Sequence, residues 1–264
     1  MGITAAHSPG WPNWFELATT DQAGARAFYA ALFGWIAVDH PISDGQHYTI
    51  FEQDGAEVAA CYTMMPDQVE TGMPAHWAIH FQVDDCDATA ARAVELGGKL
   101  LAEPFEVMEH LRMAVIADPS GAVFQLAQPR QHPGVGKIRE DHAITWVELA
   151  TRDLPVAESF YPALLGWKLA EHQNAPVAYR LIAGDDSDCG HFGGMMQMTA
   201  EWGQIPSHWS IYVQVQDVDA TLARAVELGG RINVPAFDAP GVGRIAQIGD
   251  PSGAWFYVIR LDAG

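Results

Sequence analysis

Carboxylate and imidazole side chains lie on two short segments in the first half of the chain. The segment HWAIHFQV carries His76 and His80, and the earlier segment NWFELAT carries Glu16. A carboxylate beside an imidazole raises the pKa of the ring and orients it, which suits general acid–base chemistry. We therefore predict that Glu16 and His80 form a catalytic pair. The alternatives are a displaced metal site that also uses His76, and a purely structural, hydrogen-bonded role.

Both segments have the residue pattern of β-strands, which decides which of their side chains can meet. Side chains alternate across a strand, so His76 and His80 share one face. The opposite face of this strand is apolar and consists of Trp77, Ile79, Phe81 and Val83. The apolar face predicts packing under a helix. The polar face predicts a surface that meets water or a ligand.

The chain contains these segments twice. Trp14 is repeated as Trp146, and the octapeptide ARAVELGG at Ala91 recurs unchanged at the same offset of 132 residues. A repeat of this length indicates a duplicated domain, because solenoid repeats are only about 20–50 residues long. We predict a first domain at residues 1–132 and a second at residues 133–264, joined near a segment rich in Pro and Gly.

Each half predicts the same order of elements. After the first strand, Asp21 is a candidate N-cap for an amphipathic helix that ends at Gly34, and three strands follow. The order then repeats, with a second helix that stops at Gly97 and Gly98. The sequence therefore predicts an α+β fold of two tandem domains. Each domain is a pair of βαβββ modules with helices on the outer face and a concave inner sheet.

Aromatic side chains accompany the polar ones on the predicted inner face. Large aromatics lose hydrophobic stabilisation on a wet surface, whereas aromatic walls with a few polar groups are typical of a ligand pocket. The ligand-binding candidates are Trp14, His47, His76 and Gln125 in the first half, and Trp146, Glu148, His208, Tyr212 and Tyr257 in the second. Since Tyr212 stands where the first half has His80, the two clefts are not chemically equivalent.

The composition limits the partners. The chain has 264 residues, 49% of them hydrophobic, and a formal net charge of −19. An acidic surface repels nucleic acid and anionic membranes and suits a cationic ligand, although solubility alone also explains it. No apolar run approaches the roughly 20 residues that span a bilayer, and the N-terminus lacks the pattern of a signal peptide. Three widely spaced cysteines do not predict disulfides. We expect a cytoplasmic monomer or homodimer that binds a small molecule.

Three linked motifs, each present twice, resemble those of the vicinal oxygen chelate superfamily. They are WFELATTD…FYAALFGW, FQVDDCDATAARAVELGG and ADPSGAVFQL, and the resemblance extends from Trp11 to Leu261. This superfamily includes glyoxalase I, bleomycin resistance proteins and extradiol dioxygenases. The tandem arrangement is similar to that of two-domain glyoxalase-like proteins. The resemblance implies the fold, whereas function differs among members.

In metal-dependent members of this superfamily, four inner-face residues, typically His or Glu, bind a divalent metal. The resemblance places at these positions Trp14, Ala78 and Gln125 in the first half and Trp146, Ser210 and Tyr257 in the second. Trp, Ala and Ser side chains supply no ligand here, and Gln is a weak one. We therefore expect no family-type metal and no cofactor. A divalent metal held by other residues stays open.

Two classes of function stay open. The first is an enzyme with glyoxalase-like lyase, isomerase or dioxygenase-type activity that transforms a small oxygenated metabolite through Glu16 and His80. The second is a protein of the bleomycin resistance type that binds and sequesters a drug without catalysis. The absence of metal-ligand residues favours binding, whereas a carboxylate–imidazole pair in only the first half favours an enzyme.

Overall fold

The structure, a computed structural model, describes residues 8–42, 45–173, 175–185 and 190–262. Over these ranges the chain forms two eight-stranded sheets, one from each half. The strands of the first sheet are β1 (Pro12–Thr19), β2 (Ile36–Pro41), β3 (His47–Gln53), β4 (Ala56–Thr63), β5 (His76–Gln82), β6 (Lys99–Val107), β7 (Leu111–Ala117) and β8 (Val123–Pro129). Those of the second are β9 (Ile144–Thr151), β10 (Lys168–Glu171), β11 (Tyr179–Ala183), β12 (His191–Gln197), β13 (His208–Gln214), β14 (Arg231–Ala239), β15 (Gly243–Gly249) and β16 (Trp255–Leu261).

Five α-helices lie in the described ranges, and all but the short one between β4 and β5 were predicted from the sequence. They are α1 (Gln22–Phe33), α2 (Pro66–Glu70), α3 (Cys86–Glu95), α4 (Leu154–Leu165) and α5 (Val218–Glu227). Asp21 caps α1, because its Oδ1 accepts the backbone N–H of Gly24 at 2.9 Å. Gly34 ends this helix with a φ of 75°, in the left-handed region that favours glycine.

The strand order places the two modules of each domain side by side. The first sheet runs β2-β3-β4-β1-β5-β8-β7-β6, and the second runs β10-β11-β12-β9-β13-β16-β15-β14. The first strands of the two modules lie together at the centre and are antiparallel, and each has the last strand of its own module as a parallel neighbour. The predicted α+β fold of tandem domains built from βαβββ modules is confirmed. The boundary between residues 132 and 133 stays a prediction.

The pairing of β1 with β5 sets the inner face of the first domain. Trp14 lies opposite His80, and Glu16 lies opposite Ala78. On the next strand, Gln125 of β8 lies beside His80. Because paired residues point to the same side of a sheet, Trp14, Glu16, His80 and Gln125 share one face.

The other faces of the two sheets, which carry the helices, pack against each other. The ring of Tyr29 on α1 lies 5.6 Å from that of Phe256 on β16, and the ring of Phe81 lies 5.2 Å from that of Trp209. A single cluster of buried apolar side chains therefore includes residues from both halves.

Two of the buried hydrogen bonds that cross between the halves join a tyrosine to an aspartate. Tyr29 Oη donates to Asp250 Oδ2 at 3.1 Å, and Tyr161 Oη donates to Asp118 Oδ2 at 3.0 Å. Each tyrosine lies on the first helix of its own domain, and each aspartate begins the DPSGA turn of the other domain. The sequence repeat is thus matched in the structure by a pseudo-symmetry of the junction between the two halves.

Two further properties bear on the expected surroundings of the protein. Among the helices of the described chain, none is long and apolar enough to cross a membrane. Cys61 and Cys86 are buried and free, and Cys189 lies outside the described residues.

Candidate functional site

A chain of hydrogen bonds runs across the inner face of the first domain. The indole N–H of Trp14 donates to Tyr48 Oη at 2.7 Å, and Tyr48 Oη donates to Glu16 Oε2 at 2.6 Å. Trp14 is buried and Glu16 is partly buried. We refer to the concave surface around Trp14, Glu16, Tyr48, His80 and Gln125 as the first-domain cleft.

The electrostatics of Glu16 suit a proton acceptor. Burial raises the pKa of this carboxyl to about 7, although the hydrogen bond from Tyr48 acts in the opposite direction. The tyrosine occupies Oε2, and no residue in the described ranges donates a hydrogen bond to Oε1. One carboxylate oxygen therefore remains available to a ligand.

His80 and Gln125 are buried beside this carboxylate with unused hydrogen-bonding groups. His80 is 2% exposed, and neither of its ring nitrogens has a partner among the described residues. Gln125 Oε1 is also buried without one. Burial, assisted by the charge of His132, lowers the pKa of His80 to about 3, so this imidazole is neutral.

The predicted interaction between Glu16 and His80 is corrected by these observations. Both side chains lie on the inner face, yet no hydrogen bond joins them, and the pKa of His80 is lowered instead of raised. Desolvation dominates because His80 is enclosed by the sheet. His80 is therefore a neutral hydrogen-bonding group and not a partner that shares a proton with Glu16.

The other two histidines of the first half lie outside this set. His47 is exposed, and since its neighbour Tyr48 faces the cleft, His47 points to the opposite side of β3. The prediction that it joins the cleft is wrong. His76 lies on the correct face but at the end of β5, where its Nδ1 is 2.9 Å from the carbonyl oxygen of Pro74. It flanks the cleft without contacting Glu16.

The second domain repeats the hydrogen-bond chain and then closes it. Trp146 Nε1 donates to Tyr179 Oη at 3.2 Å, and Tyr179 Oη donates to Glu148 Oε2 at 2.8 Å. Tyr212, the counterpart of His80, donates to Glu148 Oε1 at 2.7 Å. Both oxygens of Glu148 are therefore satisfied within the protein, although burial still raises its pKa.

Aromatic packing fills the remaining space in the second domain. The rings of Tyr212 and Tyr257 stack at 4.4 Å with an angle of 8° between their planes. They form a small apolar cluster with Ile245 and Ile259, and Trp146 packs against it. His208 matches His76, since its Nδ1 lies 2.9 Å from the carbonyl oxygen of Pro206. The residues predicted to bind a ligand in the second half therefore lie close together, but they mainly contact one another.

Sequence reasoning missed the tyrosine of each hydrogen-bond chain. Tyr48 and Tyr179 are separated by 131 positions, one fewer than the offset of the other repeated residues. The strand pairing nevertheless shows that they are equivalent. Ala60 and Gly194 occupy matching positions on the next strand of each domain, and each tyrosine lies two residues before the residue that pairs with that position. Allowing one deletion in the loop before β11 would have revealed them.

A second carboxylate–imidazole pair was also missed. His132 Nε2 lies 2.6 Å from Glu57 Oε2, and the His132 ring packs edge-on against Trp14 with ring centroids 4.6 Å apart. His132 belongs to the segment between the two sheets, residues 130–143, which we refer to as the linker. The residue 132 positions later is Gly264, so the sequence repeat has no second histidine that would have drawn attention to His132. Gly264 lies outside the described residues.

The donor set at the superfamily's metal positions does not fit a divalent metal. Strand pairing identifies the fourth position as Ala60 in the first domain, where it lies beside Glu16, and as Gly194 in the second, beside Glu148. Neither side chain supplies a ligand. Across the described ranges, no group of three or more His, Cys, Asp or Glu residues is placed to hold a metal ion.

The two halves match one family model. The model of the Glyoxalase/Bleomycin resistance protein/Dioxygenase superfamily matches residues 11–126 and 143–258. The chain therefore belongs to this superfamily, in a tandem arrangement.

Relatives of similar length support this assignment. The chain is 37% identical over 265 residues to the protein named "Putative glyoxylase CFP32" from Mycobacterium bovis, with 98% of each chain covered. It is 36% identical over 273 residues to "Anthracycline biosynthesis protein DnrV" from Streptomyces peucetius, covering 97% of this chain and 95% of the relative.

Solved structures show the same fold at low sequence identity. A Mn(II)-bound glyoxalase from Novosphingobium aromaticivorans has a TM-score of 0.63 and 16% identity, with 97% of this chain and 85% of that chain covered. The 2,3-dioxygenase LapB from Pseudomonas sp. KL28 has a TM-score of 0.64 and 13% identity, with coverage of 96% and 92%. At this identity the similarity concerns the fold alone.

Proposed function

We propose that the protein is a glyoxalase-like enzyme that transfers protons on a small oxygenated metabolite in the first-domain cleft, without a metal. The observation that carries the proposal is the difference between the two repeated carboxylates. Both oxygens of Glu148 are hydrogen-bonded, whereas Glu16 Oε1, the two ring nitrogens of His80 and Gln125 Oε1 have no partner in the described part of the chain. An unpaired buried polar group costs roughly 1–3 kcal/mol, so a ligand that pairs these groups would recover that free energy.

Each of the three residues has a role that its environment supports. Glu16, with a pKa of about 7, is the general base, since a base with a pKa near the working pH is most effective. Neutral His80 donates a hydrogen bond to a ligand carbonyl oxygen. Gln125 Oε1 accepts a hydrogen bond from a ligand hydroxyl.

These roles suit removal of a proton from a carbon next to a carbonyl group. Glu16 takes the proton, the C–H electron pair becomes the C=C bond of an enediolate, and the C=O π pair moves onto the carbonyl oxygen near His80, where negative charge develops. The indole of Trp14, which is only 4% exposed, forms part of the aromatic wall on this face. The relative named for anthracycline biosynthesis supports a metabolite with an aromatic ring.

The test is deuterium exchange of 2-hydroxyacetophenone, an aromatic α-hydroxyketone, in D₂O containing a chelator. NMR should show loss of the CH₂ proton signal with wild-type protein. Glu16→Gln should slow exchange by about 100-fold or more, the scale expected for a general base. Glu148→Gln is the matched control and should exchange at the wild-type rate. A wild-type protein without exchange, or a Glu16→Gln variant with full exchange, would exclude the proposal.

Sequestration of a drug is the second candidate function. The net charge of −19 would attract a cationic compound, and the aromatic first-domain cleft would stack against it. Calorimetry with a cationic aromatic antibiotic tests this alternative, followed by mass spectrometry of the recovered ligand. Tight binding of an unaltered compound, together with no exchange of the ketone, would favour sequestration over catalysis.

A further inference from the structure

The linker packs against the first domain beside Trp14. Its backbone N–H groups bind three parts of the domain: His132 N–H to the carbonyl of His110 at 3.2 Å, Val135 N–H to that of Asn13 at 2.8 Å, and Gly136 N–H to that of Glu57 at 2.7 Å. Gly134 allows this close approach, because a Cβ there would lie 2.6 Å from the carbonyl oxygen of Asn13 and its φ is 115°. His132 is thus held firmly at the site.

The contact with Glu57 fixes the ring of His132. The hydrogen bond from His132 lowers the pKa of Glu57, so this carboxyl is ionised and accepts the proton on Nε2. The remaining ring nitrogen of His132, Nδ1, is the one that would bind and release a proton in catalysis. A carboxylate that orients a histidine in this way is the arrangement used in general acid–base catalysis.

The ring of His132 also lies close to the residues of the cleft. It packs against the indole of Trp14, which is hydrogen-bonded through Tyr48 to Glu16. Its charge lowers the pKa of His80, which places the two imidazoles within electrostatic range. The side chain of His132 is 19% exposed, so it is not fully enclosed by these contacts.

We propose that His132, oriented by Glu57, is the second proton-transfer residue of the first-domain cleft. This inference rests on the function proposed above. While Glu16 removes the carbon-bound proton and the C–H electron pair forms the enediol double bond, protonated His132 gives the Nδ1 proton to the carbonyl oxygen. His132 ends neutral and Glu16 ends protonated, and the reverse transfers restore both groups. No other reactant is needed.

The rate of exchange in variants, followed across the ionisation of Glu16, tests this role. The titratable groups that face His132 and its partner are Glu57 from β4, His80 from β5, His40 from β2 and His110 from the turn after β6. Exchange should rise with pH as Glu16 ionises, with a midpoint of about 7. His132→Gln should keep this midpoint and lower the exchange rate above it by about 100-fold.

A second variant of the linker is the matched control. His142 also lies near a carboxylate, 4.0 Å from Asp141 Oδ2, but its ring contacts Phe33 on the other side of the sheet. His142→Gln should keep the wild-type rate and pH profile. Added imidazole should restore exchange to His132→Gly, because it replaces the missing ring, and should not restore it to Glu16→Gln.

A measurement without a ligand covers the case of a variant that fails to fold. In ¹⁵N-histidine NMR of the wild-type protein, neutral His132 should carry its proton on Nε2, and Glu57→Gln should change that preference. A proton on Nδ1, or a wild-type exchange rate in folded His132→Gln, would overturn the role of His132. If exchange depended on Glu16 but not on His132, only this inference would fall. Loss of the Glu16 dependence would remove the proposed function as well.

Discussion

Tyr212 occupies in the second domain the position that His80 occupies in the first, and only the tyrosine reaches the carboxylate of its domain. The phenol donates to Glu148 Oε1 at 2.7 Å, whereas neither nitrogen of His80 has a partner among the described residues. A tyrosine phenol extends farther from the backbone than a histidine imidazole, and its O–H can donate to the carboxylate without a second hydrogen-bond partner. This one exchange gives one domain a saturated carboxylate and the other a carboxylate with a free oxygen.

Transferring the tyrosine to the first domain should inactivate it. In His80→Tyr, the new phenol should donate to Glu16 Oε1 as Tyr212 donates to Glu148. Exchange of 2-hydroxyacetophenone should fall by about 100-fold or more, since the base is occupied. Circular dichroism should show an intact fold. Retention of wild-type exchange by the folded variant would contradict the assignment of Glu16.

Removing the same phenol from the second domain should affect stability and leave exchange unchanged. Tyr212→Phe keeps the stack with Tyr257 but leaves Glu148 Oε1 buried without a donor. The free energy of unfolding, measured with urea, should fall by roughly 1–3 kcal/mol. The exchange rate per folded molecule should stay at the wild-type value. A large loss of exchange would show that the second domain takes part in the reaction.

Acid should destabilise the fold through His80. The pKa of His80 is about 3 in the folded protein, below the ordinary value of 6.5, so between these values only the unfolded chain binds the proton. Its contribution to stability is therefore present above pH 6.5 and is lost as the pH falls toward 3. At pH 5 the loss should be roughly 2 kcal/mol. Urea unfolding of the wild type and of His80→Gln at pH 7 and pH 5 gives the change in unfolding free energy of each protein, and the difference between the two changes measures this loss. An equal change in both proteins would refute the prediction.

Gly194 should be intolerant of a side chain. A Cβ at this position would lie 2.0 Å from Tyr179 Oη, so Gly194→Ala must displace the phenol that donates to Glu148 Oε2. We expect a loss of about 1–3 kcal/mol in the free energy of unfolding, from the unpaired carboxylate and the shifted ring. Ala60→Gly, at the matching position of the first domain, is the control. It should cost no more than about 1 kcal/mol, since it only removes a methyl group.

Features with a periodic or repeated signal were predictable from the sequence. Alternation along the strands identified the inner face that carries Glu16, His80 and Gln125, and the constant offset identified the second copy. The caps at Asp21 and Gly34 fixed the first helix. These signals are local or repeated, so each can be recognised in the sequence without knowing how the sheets pack.

The interactions that determine the chemistry depend on contacts between distant segments. His132 meets Glu57 across 75 positions, and it comes from a linker that has no described counterpart in the repeat. The low pKa of His80 follows from enclosure by the sheet, which outweighs the proximity of Glu16 on the same face. Alternation tells which face a side chain occupies, but it does not tell how much water remains there.

The crossed hydrogen bonds of Tyr29 with Asp250 and of Tyr161 with Asp118 make the junction equivalent to a twofold dimer interface within one chain. A homodimer assembled through this surface would carry every substitution twice, and its association would depend on concentration. Covalent linkage removes both constraints, because each copy has its own codons and its partner is always present. A histidine can then be replaced by a tyrosine in one cleft alone. The altered copy still supplies half of the shared core to the copy that keeps an open carboxylate.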